Sequence, residues 1–168
     1  IRLVEFCAFE RSGFAAANRL GYDPPALFCV SGASSAMSNH FYDQTFGRHA
    51  DSDRIFLHTE DGDIRFDAFA AQSAQLANAL VAAGLSAGDR VAVQAEKSAS
   101  LLALCSATMR AGGVYLPLNT GYTPVELDYF ICDARPAIII ADPAGTADIQ
   151  PLADKSGATL FTLDAHGN

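Results

Sequence analysis

Lysine is scarce in this chain: Lys97 and Lys155 are the only lysines, and no run of Lys or Arg occurs anywhere. With a formal net charge of −8, the phosphate neutralisation that drives nucleic-acid binding has no source, and an anionic lipid surface offers no attraction. Neither partner is expected. No apolar stretch approaches the roughly 20 residues needed to cross a bilayer, and "PAIIIADP" is closed by proline at both ends, so no membrane span is expected.

Cysteine is present but unpatterned. Cys7, Cys29, Cys105 and Cys132 form no CxxC pair, and no His stands at metal-ligand spacing from any of them, which leaves buried reduced thiols as the expectation. His40, His49, His58 and His166 are scattered among polar neighbours, and nothing singles one out. No GxGxxG follows a strand, which excludes the dinucleotide fingerprint.

Half of the 168 residues are hydrophobic, enough for one core, so one domain or part of a larger one is expected. The chain divides near Met37. Residues 1–36 fit neither a helical nor an alternating period and carry three basic and three acidic side chains, against eight basic and sixteen acidic in residues 37–168. Met37 opens "MSNHFYDQTF", which reads as a natural start, so residues 1–36 are expected to be a poorly ordered leader. A secretory signal needs an apolar run of about 7–15 residues, whereas "ALFCV" is short and follows two prolines. A mitochondrial presequence is poor in acids, and Glu5, Glu10 and Asp23 count against one. The cytoplasm is the expected location, with the mitochondrial matrix as the alternative should residues 1–36 be a presequence.

From Arg54 onward a rhythm sets in. "RIFLHTEDGDIRF" reads as a hairpin turning through Glu60, Asp61, Gly62 and Asp63. A helix follows, with Phe66, Phe69, Leu76 and Leu80 on one face, Gln72, Gln75 and Asn78 on the other, and a stop near Gly84. "DRVAVQAE" reads as a buried strand, and "SASLLALCSATMRA" as a helix with Leu101, Leu104, Cys105 and Thr108 on one stripe. "VYLPL" is another strand. Thr123, Pro124 and Glu126 form a capping box with Pro at the first helical position, opening a helix with Leu127, Phe130, Ile131 and Ala134 on its inner face that Pro136 stops. "AIIIAD" lacks alternation and is rich in β-branched residues, as a central strand covered on both faces must be. "DIQPLADKSG" adds a helix that must begin close to Pro151 or kink there, and "ATLFTLD" a last strand. Val91, Val114, Ala137 and Thr159 recur at intervals of 23, 23 and 22 residues, the beat of repeated βαβ units. The predicted fold class is therefore α/β, a mostly parallel sheet with helices on both faces.

Gly112 and Gly113 test whether this rhythm hides a phosphate cradle. Such a cradle sets its glycines after a strand and before a helix, so that backbone N–H groups face the anion. Here they stand after a helix and before a strand, where glycine supplies a left-handed helix stop. They turn the chain.

The ordered segments "IRFDAFAAQSAQLANALVAAGLSAGDRVAV", "MRAGGVYLPLN" and "TPVELDYFICDARPAIIIAD" resemble the start of the adenylate-forming superfamily, the AMP-binding enzymes that include acyl-CoA synthetases and peptide-synthetase adenylation domains. Residues 54–142 carry the likeness. "MSNHFYDQTF", "VAVQAEKSAS" and "YLPLNTGYTPVELDYFICDARP" are most similar to the malonyl-CoA synthetase branch, and Asn119 stands where the peptide-synthetase branch usually has Asp. The first superfamily motif has Thr or Ser before its aromatic residue as a helix cap; this chain has Arg65 before Phe66, and Asp67 is expected to take over as cap.

The resemblance implies an acid-thiol ligase that adenylates a small carboxylic acid with ATP and Mg2+, malonate or methylmalonate first, then transfers the acyl group to coenzyme A. It also implies that residues 37–168 are a truncated N-terminal portion of an AMP-binding domain. The superfamily's Ser/Thr/Gly-rich phosphate loop ending in Lys does not occur in this sequence. No catalytic, cofactor-binding or metal-ligating residue is therefore assigned within the chain, and none of these cofactors is expected to bind it tightly. Lys97, after a strand, could face the crevice at the sheet's C-terminal edge, but a solvated loop charge is the reading adopted. Asp142 lacks the neighbouring acidic pair and later Lys of a phosphoacceptor, and Asp142-Pro143 reads as a turn opener. The alternative from another class is a stand-alone flavodoxin-like binding or interaction domain without catalysis.

Deleting residues 1–36 is expected to leave the melting midpoint nearly unchanged in a thermal scan. A loss of several degrees would show that the leader packs against the core.

Overall fold

The computed structural model describes residues 39–164. The expected leader, Cys7, Cys29 and His166 lie outside the described residues. Helix α1 (His40–Thr45) leads through a short 3-10 turn into the hairpin β1 (Ile55–Thr59) and β2 (Gly62–Arg65). Then come α2 (Phe66–Ala82), β3 (Arg90–Gln94), α3 (Ala99–Arg110), β4 (Val114–Pro117), α4 (Pro124–Ala134), β5 (Ile138–Ala141), α5 (Thr146–Ser156) and β6 (Thr159–Thr162). The hairpin is antiparallel and stands apart from the main sheet, whose four parallel strands run β4-β3-β5-β6.

Alternation along each strand sorts the core into two halves. Val91, Val93, Ile138, Ile140 and Phe161 join Phe69, Leu76, Leu80 and Leu104 of α2 and α3 on one face. On the opposite face Ala92, Ile139 and Ala141 meet Leu127 and Ile131 of α4 and Ile149 and Ala153 of α5. This is the expected sheet with helices on both faces, and "IIIA" of β5 is buried at every position. Truncating one of these isoleucines to alanine costs about 2–5 kcal/mol, against about 1 kcal/mol for a lost helix cap. The two-sided sheet, more than the helix ends, holds the fold.

Three local readings need correction. The buried side of α3 is Ser100, Ala103, Leu104, Ser106, Ala107 and Thr108, while Leu101 and Cys105 of the expected stripe are only half-buried. The reason is that α3 is covered by the sheet on one side and by α2 on the other. Small side chains let α2 approach, with Ser73 Oγ donating to Ser106 Oγ at 3.0 Å, and Gln72, expected on the solvent side, donates to Ser100 Oγ at 3.3 Å. At the start of α2, Arg65 occupies the cap position without a side-chain cap bond. Asp67 does not replace it; its carboxylate sits within the first turn, accepting from the Ala68 N–H and pairing with the Arg65 guanidinium. An acidic group there suits the helix dipole. Finally, of the two options for Pro151 the first fails: α5 begins at Thr146, after a 3-10 turn over Pro143–Gly145, and carries Pro151 in its interior.

Aromatic packing ties the hairpin to α2. Phe56 lies 4.6 Å from Phe66 and 4.7 Å from Phe69 between ring centroids, and Phe46 lies 5.6 Å from Phe69. Helix α1 is held onto the end of α3 by Asn39 Nδ2 donating to the Met109 carbonyl and by Arg110 Nη1 donating to the Tyr42 hydroxyl at 2.9 Å.

Helix α3 ends as the glycine pair predicts. Gly112, at φ +80°, donates to the Met109 carbonyl, and Gly113 reaches back to Thr108 O at 2.8 Å, the paired bonds of a Schellman stop. A Cβ on Gly113 would lie 3.1 Å from both Leu85 Cδ2 and Thr108 Cγ2. Gly112→Ala is expected to destabilise the chain by about 1–2 kcal/mol through the left-handed backbone, measured by urea unfolding. An unchanged midpoint would show that the turn refolds around an L side chain without strain.

Candidate functional site

The parallel sheet creates one distinctive place. β3 feeds α3 on one face, whereas its neighbour β5 feeds α5 on the other. Adjacent strands whose connections leave in opposite directions open a crevice at their C-terminal ends, where ligands bind in open α/β sheets. The rim of that crevice is built by Gln94 at the end of β3, the loop from Ala95 to Ser98, the loop after β4 beginning at Leu118, and the turn opened by Asp142.

Gln94 is the one polar residue among the buried positions of β3, whose other end is the exposed Arg90, and it is only 9% exposed. Burying an unpaired amide costs about 1–3 kcal/mol, and the structure pairs it. Gln94 Nε2 donates to the Asn119 carbonyl at 2.9 Å, and the Gln94 main-chain carbonyl accepts the Asp142 N–H at 2.9 Å. Asn119 Oδ1 in turn accepts the Gly121 N–H at 2.9 Å, and the Asn119 carbonyl also accepts the Tyr122 N–H. The ends of three strands thus meet at one residue, β4 through the Gln94 side chain and β5 through its main chain. Sequence reading placed Gln94 in a strand but saw no role for it; the visible signal was a single amide closing the apolar run "VAV".

Asp142 behaves as the turn opener expected. Its Oδ1 accepts the Ala144 N–H at 3.0 Å and its carbonyl accepts the Gly145 N–H. Lys97 lies in the loop after β3, exposed, and no hydrogen bond or ion pair holds it among the described residues. The two candidates follow different strands, β3 and β5, and no hydrogen bond or ion pair joins them among the described residues.

The helix starts that face this rim use their own donors. Leu101 N–H is taken by Ser98 Oγ at 3.0 Å. In α4 the full capping box is present: Glu126 N–H donates to Thr123 Oγ1, and Glu126 Oε2 accepts the Thr123 N–H at 2.8 Å. With these amides occupied and Lys97 the one lysine at the rim, the described residues do not fit a nucleotide triphosphate, which needs free backbone donors and clustered cations. Among the described residues no group of three or more His, Cys, Asp or Glu could hold a metal ion, and no helix is long and apolar enough to cross a membrane.

Besides Glu126 of the capping box, protonation is displaced at several groups on other parts of the fold. Burial pushes the Tyr115 phenol up to about 12 and raises the Cys105 thiol. Cys132 is exposed, contrary to the expectation of buried thiols, and donates to Asp128 Oδ1 at 3.4 Å. That carboxylate also accepts Lys155 Nζ at 2.7 Å, joining α4 to α5, and its hydrogen bond to Lys155 holds it below the ordinary Asp value. His58, on the hairpin, pairs with Asp63 at 2.6 Å in the open.

The comparisons with known proteins agree on one assignment. Residues 44–166 match the profile described as AMP-binding enzyme. Vanchrobactin synthetase VabF of Vibrio anguillarum is 40% identical over 99 residues, covering 59% of this chain and 3% of VabF. Phenylacetyl-CoA ligase epaB of Aspergillus niger is 37% identical over 83 residues, covering 49% of this chain and 15% of that enzyme. Among solved structures, MatB from Rhodopseudomonas palustris superposes with a TM-score of 0.74 at 46% identity, covering 79% of this chain and 26% of MatB, in both its apo and its ATP-bound form. The chain thus spans about a quarter of MatB and far less of the synthetase.

The capping box generates a pH prediction. Hydrogen bonds from the Thr123 backbone and hydroxyl hold Glu126 below its ordinary value. A depressed carboxylate contributes stability that is present above its unfolded value, about 4.3, and is lost as pH falls through the folded one. Glu126→Gln is therefore expected to flatten the acid limb of the melting curve below about pH 5, while leaving the neutral-pH slope unchanged. An acid limb identical to that of the parent chain would remove Glu126 from the account.

Proposed function

This chain belongs to the AMP-binding enzyme family, and from that premise we propose that it is the scaffold portion of an ATP-dependent acid-thiol ligase. The whole enzyme adenylates a small carboxylic acid, malonate or methylmalonate first, and passes the acyl group to coenzyme A, with Mg2+ beside the ATP. Residues 37–168 form part of its AMP-binding domain, residues 1–36 a leader, and the enzyme works in the cytoplasm or, should the leader be a presequence, in the mitochondrial matrix.

One observation carries this reading: the four-stranded parallel sheet and its flanking helices superpose on ATP-bound MatB at 46% identity. The preference for a dicarboxylate rests on the malonyl-CoA synthetase likeness of "MSNHFYDQTF" and "YLPLNTGYTPVELDYFICDARP" and on Asn119 in place of the peptide-synthetase Asp. The role of this chain's own residues is positional. β3 and β5 supply a rigid floor, and the rim of Gln94, Asn119 and Asp142 fixes the loops above it. Neither the second carboxylate of a dicarboxylate nor the phosphates find a cation cluster here, so those contacts belong to the remainder of the enzyme.

Two assays test the reading. The complete protein containing this chain is expected to release pyrophosphate from MgATP in the presence of malonate or methylmalonate; release with amino acids and none with either dicarboxylate would overturn the substrate assignment. The 168-residue chain alone is expected to give no release above a no-protein control, and turnover that is lost on denaturing the chain would refute the purely supporting role.

A further inference from the structure

The best candidate outside the assigned chemistry is the buried amide at the rim. Gln94 occupies the last position of β3, on the face covered by α4 and α5, where its strand neighbour Ala92 belongs to the apolar cluster. A residue chosen for packing alone would be apolar there. Instead its Nε2 is committed to the Asn119 carbonyl at 2.9 Å, while its Oε1 accepts no hydrogen bond among the described residues and is not a fully enclosed orphan. Its own backbone carbonyl anchors Asp142. The side chain therefore fixes the β4–α4 loop and the main chain fixes the β5–α5 turn, from the one strand where the two connections diverge.

We propose that Gln94 is a positioning residue: its amide sets the height of the Asn119–Tyr122 loop over the C-terminal crevice, and the rest of the enzyme assembles its acid-activating site against that loop. This rests on the function proposed above. Apart from the Tyr122 ring, which stacks on Phe130 of α4 at 5.0 Å between centroids and packs against the core, the loop has few other polar ties. Asn119 Oδ1 holds the Gly121 N–H and the Asn119 carbonyl holds the Tyr122 N–H, both internal to the loop, so the bond from Gln94 is the side-chain link that registers it against the sheet. Leu118 N–H on Val93 O at 2.8 Å secures only its first residue.

Gln94→Met keeps the volume and removes the donor; Gln94→Glu keeps the shape and donates only when protonated. In the 168-residue chain, amide hydrogen exchange at Gly121 and Tyr122 is expected to quicken by about tenfold in Gln94→Met, the worth of one net hydrogen bond, with amides inside α4 unmoved. In Gln94→Glu the protection is expected to return as pH falls through the glutamate's own titration. In the complete protein, Gln94→Met is expected to lower kcat by about tenfold or more per folded molecule with little change in KM, since misplacement of a support acts on the reacting geometry. Unchanged exchange at both amides overturns the inference. Faster exchange with kcat unchanged also overturns it, reducing the bond to a structural one. If the parent complete protein shows no acid-dependent turnover, the proposed function fails, and the exchange measurement still decides whether Gln94 sets the loop.

Discussion

Strands β3 and β5 have no face turned to water, and that constraint reaches every other element. A parallel strand buried on both sides must be apolar throughout, needs helices above and below, and can be linked to its neighbour only by a crossover. β5 meets the first demand with three isoleucines, and β3 meets it with alternating valine and alanine. The alanine matters: Ala92 leaves room for α4 to bring Leu127 and Ile131 close, while Val91 and Val93 fill the wider space under α2 and α3. The same demand explains why α3 is lined with serine and alanine. It is squeezed between a sheet and a second helix, and its small residues let that helix approach while Leu104 fills the core.

The two ends of the sheet are finished in different ways. At the N-terminal rim most joints are tight glycine turns, with Arg135 in the left-handed conformation closing α4 instead: Gly84 and Gly112 both adopt positive φ, and Gly88 N–H reaches the Gly112 carbonyl at 2.9 Å, tying the α2–β3 loop to the α3–β4 turn. At the C-terminal rim the joints are held by polar side chains, Ser98, Asn119, Thr123 and Asp142 each bonding a nearby backbone N–H and Gln94 bonding the Asn119 carbonyl. Glycine gives a compact closure with nothing to offer a ligand. Polar side chains hold loops at a chosen height. The asymmetry matches the general preference of α/β sheets to use their C-terminal edge.

Much of this was legible in the sequence because local chemistry and global fold agreed. The capping box at Thr123 specifies its helix, the unbroken "AIIIA" places β5 in the centre, and the order helix-Gly112-Gly113-strand excludes a phosphate loop at those glycines. What was not legible depended on neighbours remote in sequence. The stripe on α3 was rotated because periodicity sees one buried face, and α3 has two. Asp67 was expected to cap α2, but the guanidinium of Arg65 claims its carboxylate. Cys132 was expected inside and lies outside beside Asp128, since a cysteine carries no pattern of its own. Gln94 was hidden for the same reason: a lone amide at a strand end gains meaning only when the loop it holds is folded over it.

The strand order also describes a sequence of events during synthesis. β3 and β4 leave the ribosome together with α3 and can pair at once, with one face already covered by α2. The opposite face stays bare until α4 emerges, and β5 then adds to the free flank of β3, followed by β6 on the flank of β5. Each new strand after β4 joins an open edge, so none has to be threaded between two partners already in place. On that order, the face that carries Ala92 and Leu118 is the one with no helix to cover it between the completion of β4 and the arrival of α4.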